Sequence, residues 1–277
     1  MKQVAIIAAR EVADGLRNRW ILIVTVLMAG LALLLTLLGS APSGTTRISA
    51  LAVTVVSLSS LSIFFVPLIA LLLSYDSITG EAERGTLMLL LAYPVARWEV
   101  VTGKFAGHII LLSIAVSVGY GSAGVVALSG DLESWADQAW QGFAGLIGSS
   151  VLLGAVFLAL GLMISASVQE RGTAAGLAIA IWLFFVLLYD LGLIGLLASG
   201  AGQLLDDQLV TALLLANPAD VYRMLNLTGT SETAALSAMS GLVGNSAVSA
   251  PVLTGLLCLW IAIPLSLACA LFRRRQL

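Results

Sequence analysis

The side chains best suited to nucleophilic, metal-binding or proton-transfer chemistry are few here: one histidine, His108, two cysteines, Cys258 and Cys269, and a handful of isolated acids in 277 residues. His108 and the glycine-flanked Ser122 would stand about 21 Å apart along one helix, which rules out a Ser-His pair within that segment. Met28, Met163, Cys258 and Cys269 occur singly, and no C-x-x-C, M-x-x-M or His pair brings two soft ligands to one helical face. The cysteines would be about 16 Å apart on one helix, too far to bridge. Gly103-Lys104 is followed by Phe105 rather than by a hydroxyl residue, so the chain has no phosphate-binding loop. Catalytic, cofactor-binding and metal residues are therefore not expected in this chain, and any ATP and magnesium must be held by another one. Asp190 alone interrupts a long apolar run, about 27 Å into it. It marks either the outer membrane interface or an intramembrane site.

The elements that position these residues are set by composition. The chain is 60% hydrophobic and 10% charged, with a mean hydropathy of +1.05, against about 25% charged in soluble domains. The formal charge of -2 and the lack of a basic cluster exclude a nucleic-acid binder. Apolar runs at 20–38, 51–73, 105–128, 142–168, 173–198 and 252–272 predict an all-α polytopic membrane protein with six transmembrane helices. No secretory signal precedes them, so the first run is expected to serve as both targeting signal and anchor. Lys2, Arg10, Arg17, Arg19, Arg84, Arg97, Lys104, Arg171 and Arg273 to Arg275 fall on one side, which leaves only Arg47 and Arg223 of the 13 basic residues for the other. By the positive-inside rule both termini are cytoplasmic. Residue 137 and Glu232 then lie outside, and Arg171 inside.

Three segments lie outside the spans. Residues 2–19 repeat Val4, Ala8, Val12 and Leu16 at i, i+4, which predicts an interfacial helix on the cytoplasmic surface. Residues 199–251 form a long outer loop whose first part, from Leu204, reads as a short amphipathic helix at the outer interface. Between spans two and three, residues 77–92 carry Glu81, Glu83 and Arg84 ahead of the apolar block Leu87 to Leu91. That block is too short to span, and as one amphipathic helix it would offer Leu87, Leu90 and Leu91, at i, i+3, i+4, to a groove on a soluble partner. Glu81 and Glu83, near its start, would meet the helix dipole and pair with basic groups of that partner. The tetrapeptide Glu-Arg-Gly-Thr occurs at 83–86 and again at 170–173, but unmatched flanks argue against an internal repeat.

The run Gly80-Glu81-Ala82-Glu83-Arg84-Gly85-Thr86-Leu87, then Tyr93-Pro94, Arg97 and Gly103-Lys104, resembles the signature after span two of ABC-2 type transporter permeases. Asp14 to Trp20, Thr54 to Leu58 and Pro67 to Leu73 with Tyr75-Asp76 are similar to the branch of that family that serves copper-site assembly in nitrous oxide reductase. The resemblance implies a multi-pass protein of the bacterial inner membrane, working as a homodimer with two copies of a cytoplasmic ABC ATPase and with a periplasmic partner. It implies that Glu81, Glu83, Arg84, Gly85, Thr86, Leu87, Leu90 and Leu91 form a coupling helix. The output would be export of a solute such as a sulfur species, or a shape change passed to the periplasmic partner. The rival reading is a passive membrane anchor for a peripheral complex. It would use the same spans and the same docking helix.

Overall fold

The computed structural model describes residues 2–17, 19–39, 50–128, 138–199, 206–227 and 248–275. Every regular element among them is helical, as runs of apolar residues must be where lipid offers the backbone no partner. In chain order these are α1 (Lys2–Arg17), α2 (Arg19–Gly39), α3 (Ala50–Ser74), α4 (Thr79–Glu83), α5 (Thr86–Leu91), α6 (Arg97–Leu128), α7 (Gln138–Ser167), α8 (Arg171–Leu183), a π-helical turn Phe184–Leu188, α9 (Tyr189–Ala198), α10 (Asp207–Leu215), α11 (Pro218–Leu227) and α12 (Ala250–Arg274). Five stretches are long and apolar enough to cross a membrane: Val55–Glu83, Arg97–Val126, Gly142–Ser167, Arg171–Ala198 and Ala250–Arg274. The sixth expected span falls in α2, which meets α1 at a bend of 70°. Arg47, residue 137 and Glu232 lie outside the described residues.

α7 is the central helix, packed along α3 on one side and α12 on the other, while α6 carries α1 and α2 on its far face. The main apolar core joins Met28, Val66, Tyr120, Phe157, Tyr222 and Leu257 from six different helices. A smaller core, at the end of the bundle where α4 and α5 lie, gathers Ile7, Ile78, Leu87, Val100, Leu162, Ala268 and Phe272. Both chain ends meet there. Arg97 donates to the carbonyls of Phe272 (2.8 Å), Arg273 (3.1 Å) and Arg275 (2.7 Å), closing the carbonyl end of α12 with a cation as helix ends favour. Its guanidinium also sits 5.6 Å from the centre of the Phe272 ring.

Two expectations are corrected here. Residues 77–92 form two short helices rather than one, because Gly85 between them adopts φ +72°, a left-handed conformation that glycine takes without steric cost. Leu204 to Met224 is not a single helix lying on a surface. α10 and α11 turn at Ala216 and Asn217, and α11 buries Ala219, Val221 and Tyr222 against α3, α7 and α12.

Gly103 and Gly107 explain how α1 reaches α6. A Cβ on Gly103 would meet the Ile7 side chain at 2.8 Å and the Val4 carbonyl at 3.1 Å, and one on Gly107 would meet Glu11 at 2.6 Å and the Ala8 carbonyl at 3.0 Å. The small-xxx-small pair thus serves helix crossing within the chain. Gly107→Val should overpack this crossing at a cost of about 1–3 kcal/mol. Trypsin digestion of the purified protein should then cut faster at Arg10 and Arg17. Gly172→Ala, where a Cβ meets nothing within 4 Å, should leave the digestion pattern unchanged.

Candidate functional site

The segment from Ser74 to Lys104 is fastened to the bundle through a small number of polar groups. Lys104, on α6, is only 1% exposed. Its ammonium donates to Glu11 Oε1 of α1 at 2.6 Å and to Glu81 Oε1 of α4 at 2.9 Å. His108, one turn further along α6, places Nε2 3.5 Å from Glu11 Oε2. Burial alone would push the Glu11 carboxyl up, but the neighbouring His108 imidazole and the Lys104 charge outweigh it and bring it down to about 2. Glu11 is therefore ionised, and a charged lysine is held between two carboxylates in a nearly dry site.

The other acids of α4 and its approach turn toward α8. Glu83 Oε1 accepts the backbone N–H of Arg171 at 2.7 Å, and the Arg171 guanidinium stands 2.8 Å from Asp76 Oδ2. The two Glu-Arg-Gly-Thr copies therefore lie side by side, each running into the start of a helix: Thr86 opens α5 and Arg171 opens α8. Thr86 Oγ1 donates back to the Glu81 carbonyl at 3.2 Å across the Gly85 turn.

The apolar face of this segment differs from the sequence expectation. Leu87 is fully buried in the smaller core, and Leu90 and Leu91 pack partly against it. Facing outward are Met88 (60% exposed), Leu89 (69%) and Tyr93 (70%), with the exposed Glu83, Arg84 and Gly85 beside them. The i, i+3, i+4 leucines do share a face, as their spacing requires, but that face is the one the chain uses for itself. Glu81 likewise turns inward to Lys104. Periodicity identifies which residues group together; only packing decides which group is left over.

Asp190 belongs to a different place, at the start of α9 just after the π-turn. Its Oδ2 accepts from Arg223 Nη2 of α11 at 2.8 Å, and Arg223 Nη1 reaches Asp220 at 2.5 Å. Asn217, at the α10–α11 turn, donates to Asp220 Oδ2 and to the Phe185 carbonyl, both at 3.0 Å. Asp190 is thus a tether for α11. Deeper along that helix, Tyr222 and Ser150 of α7 share a hydrogen bond at 2.9 Å, Ser150 lies 3.3 Å from Ser62 of α3, and Ser62 also bonds Tyr120 of α6. Ser62 and Ser150 each lie twelve residues into their helices, roughly 18 Å from the start. All four hydroxyls are buried, and each has a partner among the other three. Between α10 and α12 lies an open groove of about 560 Å³, lined by Ala212, Leu215, Ala216, Val252, Gly255, Leu256 and Leu259. Among the described residues no group of three or more His, Cys, Asp or Glu side chains could hold a metal ion.

Sequence reasoning missed Lys104 as a buried anchor for Glu11 and Glu81, Arg171 as the partner of Asp76 and Glu83, Arg223 as the partner of Asp190, and the hydroxyl cluster. The one usable signal was Lys104 itself, a charge followed within a few residues by an apolar run. The remaining partners are separated from theirs by up to 93 residues.

Several helices long and apolar enough to cross a membrane, with a charged, apolar-tipped segment fixed to the end of the bundle, are consistent with a transporter permease. The chain belongs to the ABC-2 family of transporter proteins, whose pattern it matches over residues 5–277. It is 45% identical over 271 residues to a protein of Pseudomonas aeruginosa described as a probable ABC transporter permease protein, NosY, with 98% of each chain covered. A protein of Stutzerimonas stutzeri with the same description is 44% identical over 276 residues, with 99% of each chain covered.

Replacing Lys104 by Met would leave the largely buried Glu11 and Glu81 without the ammonium they share, with only His108 beside Glu11, a loss of about 3–5 kcal/mol. Lower yield and a lower unfolding midpoint in detergent are expected. The triple variant Glu11→Gln, Glu81→Gln, Lys104→Met, which removes the three charges together and leaves the side chain at position 11 able to bond His108, should recover most of the midpoint; if it is no better than Lys104→Met alone, unpaired charge is not the cause.

Proposed function

We propose that this chain is the membrane subunit of an ABC transporter in which α4 and α5 seat a separate cytoplasmic ATPase. The observation that carries the reading is the exposed apolar tip, Met88, Leu89 and Tyr93, on a segment otherwise anchored to α1, α6, α7 and α8. Water gives such a tip no reason to stay bare, whereas a partner groove would cover it. The flanking Arg84, Glu83 and Gly85 set the register of docking, and Thr86 holds the turn between the two helices. Leu87, Leu90 and Leu91 support the tip from behind.

In this reading the cation-rich end of the bundle is cytoplasmic, so both termini lie inside, α1 rests on the inner surface, and α10 and α11 descend from the outer side. Two copies of the chain and two ATPase subunits make the working unit, in the bacterial inner membrane. ATP and magnesium belong to the ATPase, which shifts a two-state equilibrium of the membrane helices by binding them. The output in this reading lies in nitrous oxide reductase maturation, as the sequence resemblance implies: export of a sulfur species for copper-site assembly, or a conformational signal to a periplasmic partner that meets the outer end near Asp190 and α11; the two NosY relatives support it.

The double variant Met88→Asp, Leu89→Asp should keep the chain at its normal level and lose at least tenfold of the co-purifying ATPase, about 1.4 kcal/mol or more. Leu90→Asp should instead lower the level of the chain itself. Full retention of the ATPase by the double variant would remove the docking assignment and favour the passive anchor. For the topology, single cysteines at Gln169 and Ser199 in a background lacking Cys258 and Cys269 report the two ends. An impermeant maleimide on intact cells should label residue 199 and not 169, and the opposite pattern would invert the orientation.

A further inference from the structure

Ser165, near the end of α7, is fully buried, and its hydroxyl meets the start of α4. It accepts from the backbone N–H of Ile78 at 2.9 Å and of Thr79 at 3.1 Å. Its own proton goes to Thr79 Oγ1, 3.1 Å away, because the Thr79 hydroxyl proton is directed at the Tyr75 carbonyl. Two lone pairs and one proton are then all in use. α4 has no cap of its own: the residue at its N-cap position is Ile78, whose side chain can accept nothing. The first free N–H groups of the segment therefore depend on another helix for their acceptor. The backbone of Ser165 is held as well, since its carbonyl accepts from Arg275 at 3.0 Å.

One turn earlier on the same face of α7, Gly161 lies so close to Ser74 that a Cβ would come within 2.0 Å of the Ser74 hydroxyl. On consecutive turns α7 thus touches the end of α3 and grips the start of α4. The links through Glu81 and Glu83 run along longer side chains, with more rotatable bonds between backbone and contact. The Ser165 link is short and ends on backbone, so α4 cannot move away from α7 without breaking two hydrogen bonds in a dry site.

We propose that Ser165 is the positioning residue through which α7 follows the coupling segment, an inference that rests on reading α4 and α5 as the seat of the ATPase. α7 packs on α3, α6 and α12, so a displacement entering at Ser165 reaches most of the bundle at once. Ser165→Ala removes the acceptor and leaves the docking tip at Met88 and Leu89 untouched. Thr79→Val removes only the threonine hydroxyl and keeps both N–H links.

The test is hydrogen exchange by mass spectrometry on the purified complex with its ATPase, with and without ATP and vanadate. In the unmodified complex, nucleotide should change exchange both in residues 77–92 and in residues 142–152 at the other end of α7. With Ser165→Ala the ATPase should stay bound, hydrolysis should remain within about twofold, and the change in 77–92 should persist, while that in 142–152 falls at least fivefold. Thr79→Val should keep both changes. The inference is overturned if Ser165→Ala preserves the response of 142–152, if Thr79→Val abolishes it equally, or if Ser165→Ala costs ATPase binding or protein yield. An unmodified complex with no nucleotide response in 77–92 would overturn the ATPase seat along with it, which separates the two failures.

Discussion

Lys104 is a charged group almost wholly removed from water, and the α4–α5 end of the molecule is organised around that cost. An ammonium can be buried only where anions meet it, so Glu11 and Glu81 must be brought to it from an N-terminal helix and from the α3–α6 connection. Once they are, α1 cannot drift from α6, and α4 cannot lift from either. Gly103 and Gly107 make the approach possible by removing side chains where α1 crosses. The smaller apolar core then closes over the same junction, with Ile7, Leu87 and Phe272 drawn from three distant parts of the chain.

The same logic recurs on α4, in five residues. Its first N–H groups go to Ser165 of α7, Glu81 to Lys104 of α6, and Glu83 to the Arg171 backbone at the start of α8. A five-residue helix has almost no stability of its own. It persists because each polar group ends on a different neighbour, and for that reason it reports on the relative positions of all of them. At the opposite end, α11 is held by Asp190 with Arg223 and by the hydroxyls of Tyr222, Ser150, Ser62 and Tyr120. Polar links between apolar helices have weight in deciding which arrangement of the bundle is stable.

Much of this was legible from residue order alone. The apolar runs located the helices, because length and hydropathy are local properties and lipid leaves the backbone no other choice, although α6 begins eight residues before its apolar run. The short charged and apolar segment at 77–92 was legible for the same reason, and its family signature is contiguous. Its division into two helices was marked by Gly85, a residue that permits a left-handed turn but does not by itself require one. What misled was the leucine face. Leu87, Leu90 and Leu91 have the spacing of a docking surface, and the chain spends them on its own core.

The sequence by itself determined that this is a helical membrane protein of the ABC-2 kind, without the residue patterns for binding nucleotide or metal, and with one exceptional connection. Those conclusions rest on composition, run length and contiguous motif. Tertiary structure alone decided that Glu81 faces Lys104 rather than a partner, that Met88 and Leu89 are the side chains left bare, that Asp190 is paired with Arg223, and that Ser165 caps α4 from another helix. Each is a pairing between residues 23 to 87 positions apart, or the remainder after such pairings are made. Hydrogen bonds and ion pairs act over a few ångströms in space and carry no trace in local order, so they become visible only when the helices have been brought together.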